Sequence, residues 1–176
     1  IEKIDILLRE LELFKSSSKF FKSQSTHQWL KPTLDNNGYL IPSIENFTRL
    51  LFSKNLAKAG ENLIASKEMK NMLSAIKPFS PGFVLWQNML FDKSTATKNH
   101  FDSWYLDTQP LGNLVGVWIA LEDINAEAGP FQIYPNTNKE VKKLSWLDYS
   151  HDEMLSYCSN LIKNIEPLKL TISKGD

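Results

Sequence analysis

Apolar residues fall at Ile1, Ile4, Leu7, Leu8, Leu11 and Phe14, the spacing of one helix face, and predict an amphipathic helix over residues 1–15. Ser16-Ser17-Ser18 ends it. From Lys19 to Asn37 the chain is polar and aromatic without a period. Asn36-Asn37-Gly38 reads as a turn, and Tyr39-Leu40-Ile41 as a short strand stopped by Pro42. Helical spacing returns over residues 43–59 and again over 66–77. In the second stretch Met69, Met72, Leu73 and Ile76 share a face and Pro78 terminates it.

At Phe83 the pattern changes. Residues 83–91 (FVLWQNMLF) are aromatic and β-forming and predict a strand, followed by a polar loop over 92–99. His100 to Leu106 reads as extended, and Pro110 and Gly112 mark a loop. Leu114–Leu121 is a continuous apolar run of buried-strand length, and Phe131–Tyr134 a short strand. Ser150 and Glu153 have capping-box spacing ahead of Met154, Cys158, Leu161 and Ile165, which predicts a helix. Leu168–Ile172 alternates like a last strand. The simplest organisation is a single domain over 1–176: a helical portion, 1–80, packed on an antiparallel β portion, 81–176.

Composition narrows the function classes. With 176 residues, 42% hydrophobic and 23% charged, the chain is long enough for a sizeable core and too apolar for general disorder. No apolar run approaches a membrane span. Twenty cations balance twenty anions, which argues against a broad nucleic-acid surface. Cys158 stands alone, so an internal disulfide framework and a cysteine-rich metal site are excluded. No signal peptide is visible, and a cytoplasmic setting is expected.

Among the three histidines, His27 sits in an aperiodic polar stretch and His151 in the first turn of a capped helix. Both read as surface residues. His100 differs because Asp102 follows two positions later. On a strand, side chains at i and i+2 share a face, so imidazole and carboxylate would converge while Phe101 points away. That is two-thirds of the ligand set that holds non-haem Fe(II). Gln87 and Asn88 are adjacent polar residues in an apolar stretch, so one of them faces inward.

From His100 the chain reads HFDSWYLDTQPLGNLVGVWIALEDINAEAGPFQIYPNTNK. A His-x-Asp pair is followed by Trp118-Ile119-Ala120-Leu121-Glu122-Asp123, then Gly129-Pro130, then Pro135-Asn136-Thr137-Asn138. This order resembles the phytanoyl-CoA dioxygenase family of Fe(II)/2-oxoglutarate oxygenases. The resemblance implies a mostly β fold with N-terminal helices: a double-stranded β-helix, or jelly roll. It implies His100 and Asp102 as iron ligands, with Fe(II), 2-oxoglutarate and ascorbate as cofactor, co-substrate and reductant. Trp118 would line the 2-oxoglutarate site or fill the core. The inward one of Gln87 and Asn88, with Gln87 taken as the candidate, would touch co-substrate or substrate, or serve as a hydrogen-bonded core amide. Trp104 and Tyr105 would border the substrate pocket or belong to the core. With a carboxylate present, hydroxylation of a small molecule is implied rather than halogenation.

The sequence also departs from the family pattern. Pro-Asn-Thr-Asn stands where the family has a Pro-Gly-Ser-His type of turn, and asparagine can adopt the left-handed conformation that glycine supplies. The family's second histidine ligand and its arginine for 2-oxoglutarate follow a Gly-Asp pair, and this chain closes on Gly175-Asp176. Its two arginines, Arg9 and Arg49, both lie early. Lys139, Lys142, Lys143, Lys163, Lys169 and Lys174 are the cations left after Asp102 to meet a carboxylate. The expectation is therefore a jelly roll incomplete at its C-terminus, weakly active or inactive by itself. An open sheet edge would then invite self-association. The alternatives are a non-catalytic jelly-roll binding protein and a cupin-type protein with another metal set.

Overall fold

The computed structural model describes residues 1–94, 97–108, 112–137 and 148–176. The chain divides into two compact units, Ile1–Ser94 and Thr95–Asp176.

In the first unit, helix α1 (Glu2–Lys15) buries Ile4, Leu7, Leu11 and Phe14, the residues its apolar spacing selects. It packs on α2 (Lys54–Ile64), whose Leu56, Ala57, Ala59 and Gly60 are buried. Small residues on α2 let other side chains approach. A Cβ on Gly60 would fall 2.3 Å from the Phe47 ring. Strands β1 (Phe21–Lys22) and β2 (Trp29–Leu30) form one antiparallel pair, and β3 (Ile44–Glu45) and β4 (Met89–Leu90) another. Phe21, Leu40, Ile44 and Leu90 complete the core. Helix α3 (Lys67–Ile76) starts as its sequence predicts, with the Ser66 hydroxyl accepting the Met69 N–H. Its apolar face is not buried: Met72 and Ile76 are exposed.

Polar groups also tie this unit together. Lys15, almost buried, bridges Glu12 at 2.7 Å and Asp92 at 2.9 Å. Asp92 also accepts the Leu40 N–H. Asn88 is the inward member of the Gln87-Asn88 pair. Its amide accepts from the Thr48 N–H and donates to the Thr48 hydroxyl, while Gln87 is exposed.

In the second unit a one-turn helix α4 (Asp102–Tyr105) packs on α5 (His151–Ile162) through Trp104, Met154 and Cys158, with Phe101, Leu155 and Tyr157 around them. The capping box at the start of α5 is present in both directions. Strands β5 (Gln132–Ile133) and β6 (Leu168–Lys169) pair antiparallel. The pairing resumes at Ile124 with Ile172 and at Ala120 with the Gly175-Asp176 turn. Eight positions separate Ile124 from Gln132, and three separate Ile172 from Lys169, so the intervening Asn125–Gly129 turn bulges from the pair. Asn136 stands at φ 65°, the left-handed conformation that lets it replace glycine in the Pro135 turn.

A mostly β double-stranded β-helix is not what the chain forms. Among the described residues the ladders are two-residue strands in three separate two-stranded pairs, beside five α-helices. Of the predicted strand over 83–91, Met89–Leu90 alone is paired. In the run Leu114–Leu121, Ala120 alone bonds to another segment among the described backbone contacts. The predicted helix over 43–59 divides into β3, a 3-10 turn at Phe47–Arg49, and the start of α2. Apolar runs report a preference for burial and for β geometry. A sheet needs, in addition, a partner backbone alongside, and no local pattern encodes that. Among the described residues no helix is long and apolar enough to cross a membrane.

Candidate functional site

His100 and Asp102 do converge, though not on a strand. Phe101 is extended (φ −108°, ψ 126°), and the chain turns into α4 at Asp102. The fold that makes this turn is the burial of Trp104, which needs one helical turn to reach Met154 and Cys158. The outcome places His100 Nε2 3.3 Å from Asp102 Oδ1. Phe101 packs on the Trp104 cluster.

The His100 tautomer follows from its other nitrogen. Nδ1 lies 2.7 Å from the Lys98 carbonyl oxygen, which can only accept, so Nδ1 carries the proton. In the neutral ring Nε2 carries the lone pair; in the protonated ring Nε2–H donates to Asp102 Oδ1. A backbone carbonyl that fixes the tautomer is the usual support behind a metal-ligating histidine. The hydrogen bond to Asp102 raises the His100 pKa, helped by the Lys98 carbonyl and opposed by burial. The same bond lowers the Asp102 pKa. The Asp102 side chain is 69% exposed, so solvent screens the pair and its worth as an ion pair is small.

Around this pair stand other rings. Tyr105 meets His100 edge to face with centroids 5.6 Å apart, and Trp104 at 4.7 Å. Its hydroxyl lies 3.2 Å from His151 Nδ1. Burial raises the Tyr105 pKa, with the Cys158 and Asp102 charges adding to it. Trp104 is core and Tyr105 is 42% exposed. The indole Nε1 of Trp104 is buried without a hydrogen-bond partner. A Cβ on Gly116 would stand 3.5 Å from Asp102 Oδ2, which brings the run Leu114–Leu121 beside the pair.

The remaining candidates are placed differently. Trp118 is 44% exposed and stacks on Phe131 at 5.8 Å. Gln87 belongs to the first unit. Lys139, Lys142, Lys143 and Asn138 lie outside the described residues. Among the described residues no group of three or more histidine, cysteine, aspartate or glutamate side chains gathers as a metal cage. His100 and Asp102 would therefore fill two positions of a ferrous site. His151, read from the sequence as a surface residue, turns out to contact Tyr105. The capping box predicts its helix, but no local signal predicts its neighbour.

A family model, Phytanoyl-CoA dioxygenase (PhyH), matches residues 23–171. The chain belongs to the phytanoyl-CoA dioxygenase family. The match spans both units, including the His-x-Asp pair and the Pro135 turn. Two curated relatives are similar over shorter stretches. Phytanoyl-CoA dioxygenase domain-containing protein 1 homolog of Caenorhabditis elegans is 28% identical over 90 residues, covering 49% of this chain and 31% of the relative. Phytanoyl-CoA dioxygenase domain-containing protein 1 of Danio rerio is 32% identical over 79 residues, covering 43% of this chain and 26% of the relative. The matched region thus spans less than a third of either relative. No solved structure matches the chain.

Proposed function

We propose that this chain carries the histidine–aspartate half of an Fe(II)- and 2-oxoglutarate-dependent dioxygenase centre that hydroxylates a small-molecule substrate. The observation that carries the reading is the approach of His100 Nε2 to Asp102 Oδ1 at 3.3 Å, with Nδ1 turned to the Lys98 carbonyl at 2.7 Å. Family membership supports the same chemistry. When bound, the ferrous ion supplies oxygen activation, with 2-oxoglutarate as co-substrate and ascorbate as reductant. The protein's share is narrower. His100 and Asp102 would hold the metal, and Lys98 keeps the imidazole in its ligating tautomer. Trp104 and Phe101 anchor the flanking chain in the core cluster with Met154 and Cys158. Tyr105, half exposed, is the proposed substrate-pocket residue beside it, with Trp104 as its floor. Trp118, in the same unit as the pair, is the proposed contact for 2-oxoglutarate.

Two protein ligands bind ferrous iron more weakly than three, so the test is metal binding before turnover. Anaerobic titration with Fe(II), read as protein-bound iron, is expected to show binding in the wild type. His100→Ala and Asp102→Ala should each weaken it about tenfold or more. Equal iron in all three proteins overturns the reading. Succinate formed from 2-oxoglutarate under the same conditions measures what activity the chain supports.

A further inference from the structure

We propose that Tyr105 and His151 form a positioning clamp for the His100 imidazole, tying the start of α5 to the His100–Asp102 pair. The proposal rests on the metal-ligand reading above for its purpose, though not for its geometry.

Three rings stand in sequence. His151 Nδ1 lies 3.2 Å from the Tyr105 hydroxyl, and the Tyr105 ring meets His100 edge to face at 5.6 Å. The phenol donates when Nδ1 carries no proton and accepts when it does, so the contact holds in either His151 tautomer. Tyr105 is held from a second side by Trp104, perpendicular at 4.7 Å, and Trp104 also touches His151 at 5.7 Å. The tyrosine is thereby restrained at its hydroxyl and at its ring.

Such restraint matters because α4 is one turn long. A single turn has little stability of its own and keeps its shape through tertiary contacts. His100 lies before that turn, and besides Asp102 its imidazole is restrained by the Lys98 carbonyl on Nδ1 and by the Tyr105 ring. Helix α5 is the firm partner. It is twelve residues long, reciprocally capped by Ser150 and Glu153, and anchored by buried Met154 and Cys158. His151 is its first residue. The clamp transfers the fixed position of α5 to a ligand on a segment that could not hold it alone. A ligating side chain needs that precision from its supporting residues.

The experiment reads the ring without metal and then with it. Side-chain nitrogen shifts of His100, recorded for the neutral ring in the full chain, report which nitrogen bears the proton. Wild type is expected to show the proton on Nδ1. His151→Ala and Tyr105→Phe should move the shifts toward the mixture of a free imidazole, and His151→Asn should restore them, because its Oδ1 can stand where Nδ1 stood. Cobalt(II) affinity should fall about three- to tenfold in the first two variants and recover in the third. That is below the ten- to hundredfold typical of a partner bonded directly to a ligating histidine. Wild-type shifts in His151→Ala overturn the clamp. So does an equal loss in His151→Asn and His151→Ala, which would mark a role in packing alone. If cobalt(II) leaves His100 unperturbed in the wild type, the metal reading falls, while the metal-free shifts still decide the clamp.

Discussion

Glu45 is nearly buried yet charged, with His27 Nδ1 at 2.7 Å and Lys22 Nζ at 3.0 Å. The hydrogen bond from His27 holds its pKa below the ordinary glutamate value, with Lys22 adding to the effect and burial opposing it. A depressed carboxylate stabilises the fold above its unfolded pKa, and that contribution is lost as pH falls through the folded value. Glu45→Gln is therefore expected to cost about 1–3 kcal/mol in urea unfolding at pH 7. The difference should shrink in acid, below pH of about 4, where the wild-type carboxyl is itself protonated. A constant difference across that range would contradict the assignment. None of this was legible in the sequence. His27 stood in an aperiodic stretch, and its partner is eighteen residues away. It even adopts a left-handed backbone, φ 56°, that a histidine seldom takes. Gly60 is a second case. In a helix, glycine to alanine ordinarily stabilises by about 1 kcal/mol. Here the added methyl meets the Phe47 ring, so Gly60→Ala should instead lower stability, by about 1–3 kcal/mol in thermal or urea unfolding.

At the scale of elements, those with a full local signature formed where the pattern put them. Helix α1 has its apolar period, α3 its serine cap, and α5 its capping box, all short-range features. Ser150→Ala should lower the stability of the second unit by about 1 kcal/mol, seen as a reduced melting temperature. Asn136 makes the converse point about turns. Asn136→Gly should be tolerated, whereas Asn136→Ala should cost about 1 kcal/mol, because alanine strains at a positive φ. Strands fared otherwise. Residues 83–91 and 114–121 have strand composition, but their partners had to come from distant parts of the chain. The β4 residues pair with Ile44–Glu45, and Ala120 with the Gly175-Asp176 turn. Composition carries no information on such pairings.

Over the whole molecule, burial is uneven. Among the described residues, the buried apolar side chains of the second unit are Trp104, Ala120, Pro130, Met154 and Cys158, while the first unit holds the α1–α2 core and its sheet residues. Local stability follows buried apolar contact, so amide exchange should be slowest in α1 and α2 and faster throughout 112–137. Metal that binds the folded pair alone stabilises by mass action. Added Fe(II) or cobalt(II) is therefore expected to slow exchange around residues 98–106, and not in α1. Uniform exchange across both units would contradict the uneven core.

The sequence by itself determined the family, through the order of the His-x-Asp pair, the Trp118 segment, Gly129-Pro130 and the Pro135 turn. It also determined the helices with local caps, because these depend on residues within a few positions of one another. Tertiary structure decided the rest. The His100–Asp102 approach comes from a helical turn drawn down by Trp104, where the sequence suggested a strand. The Tyr105–His151 contact joins residues forty-six positions apart. The sheets are short because a ladder exists only where two backbones meet, and that is a property of the folded chain rather than of any window along it.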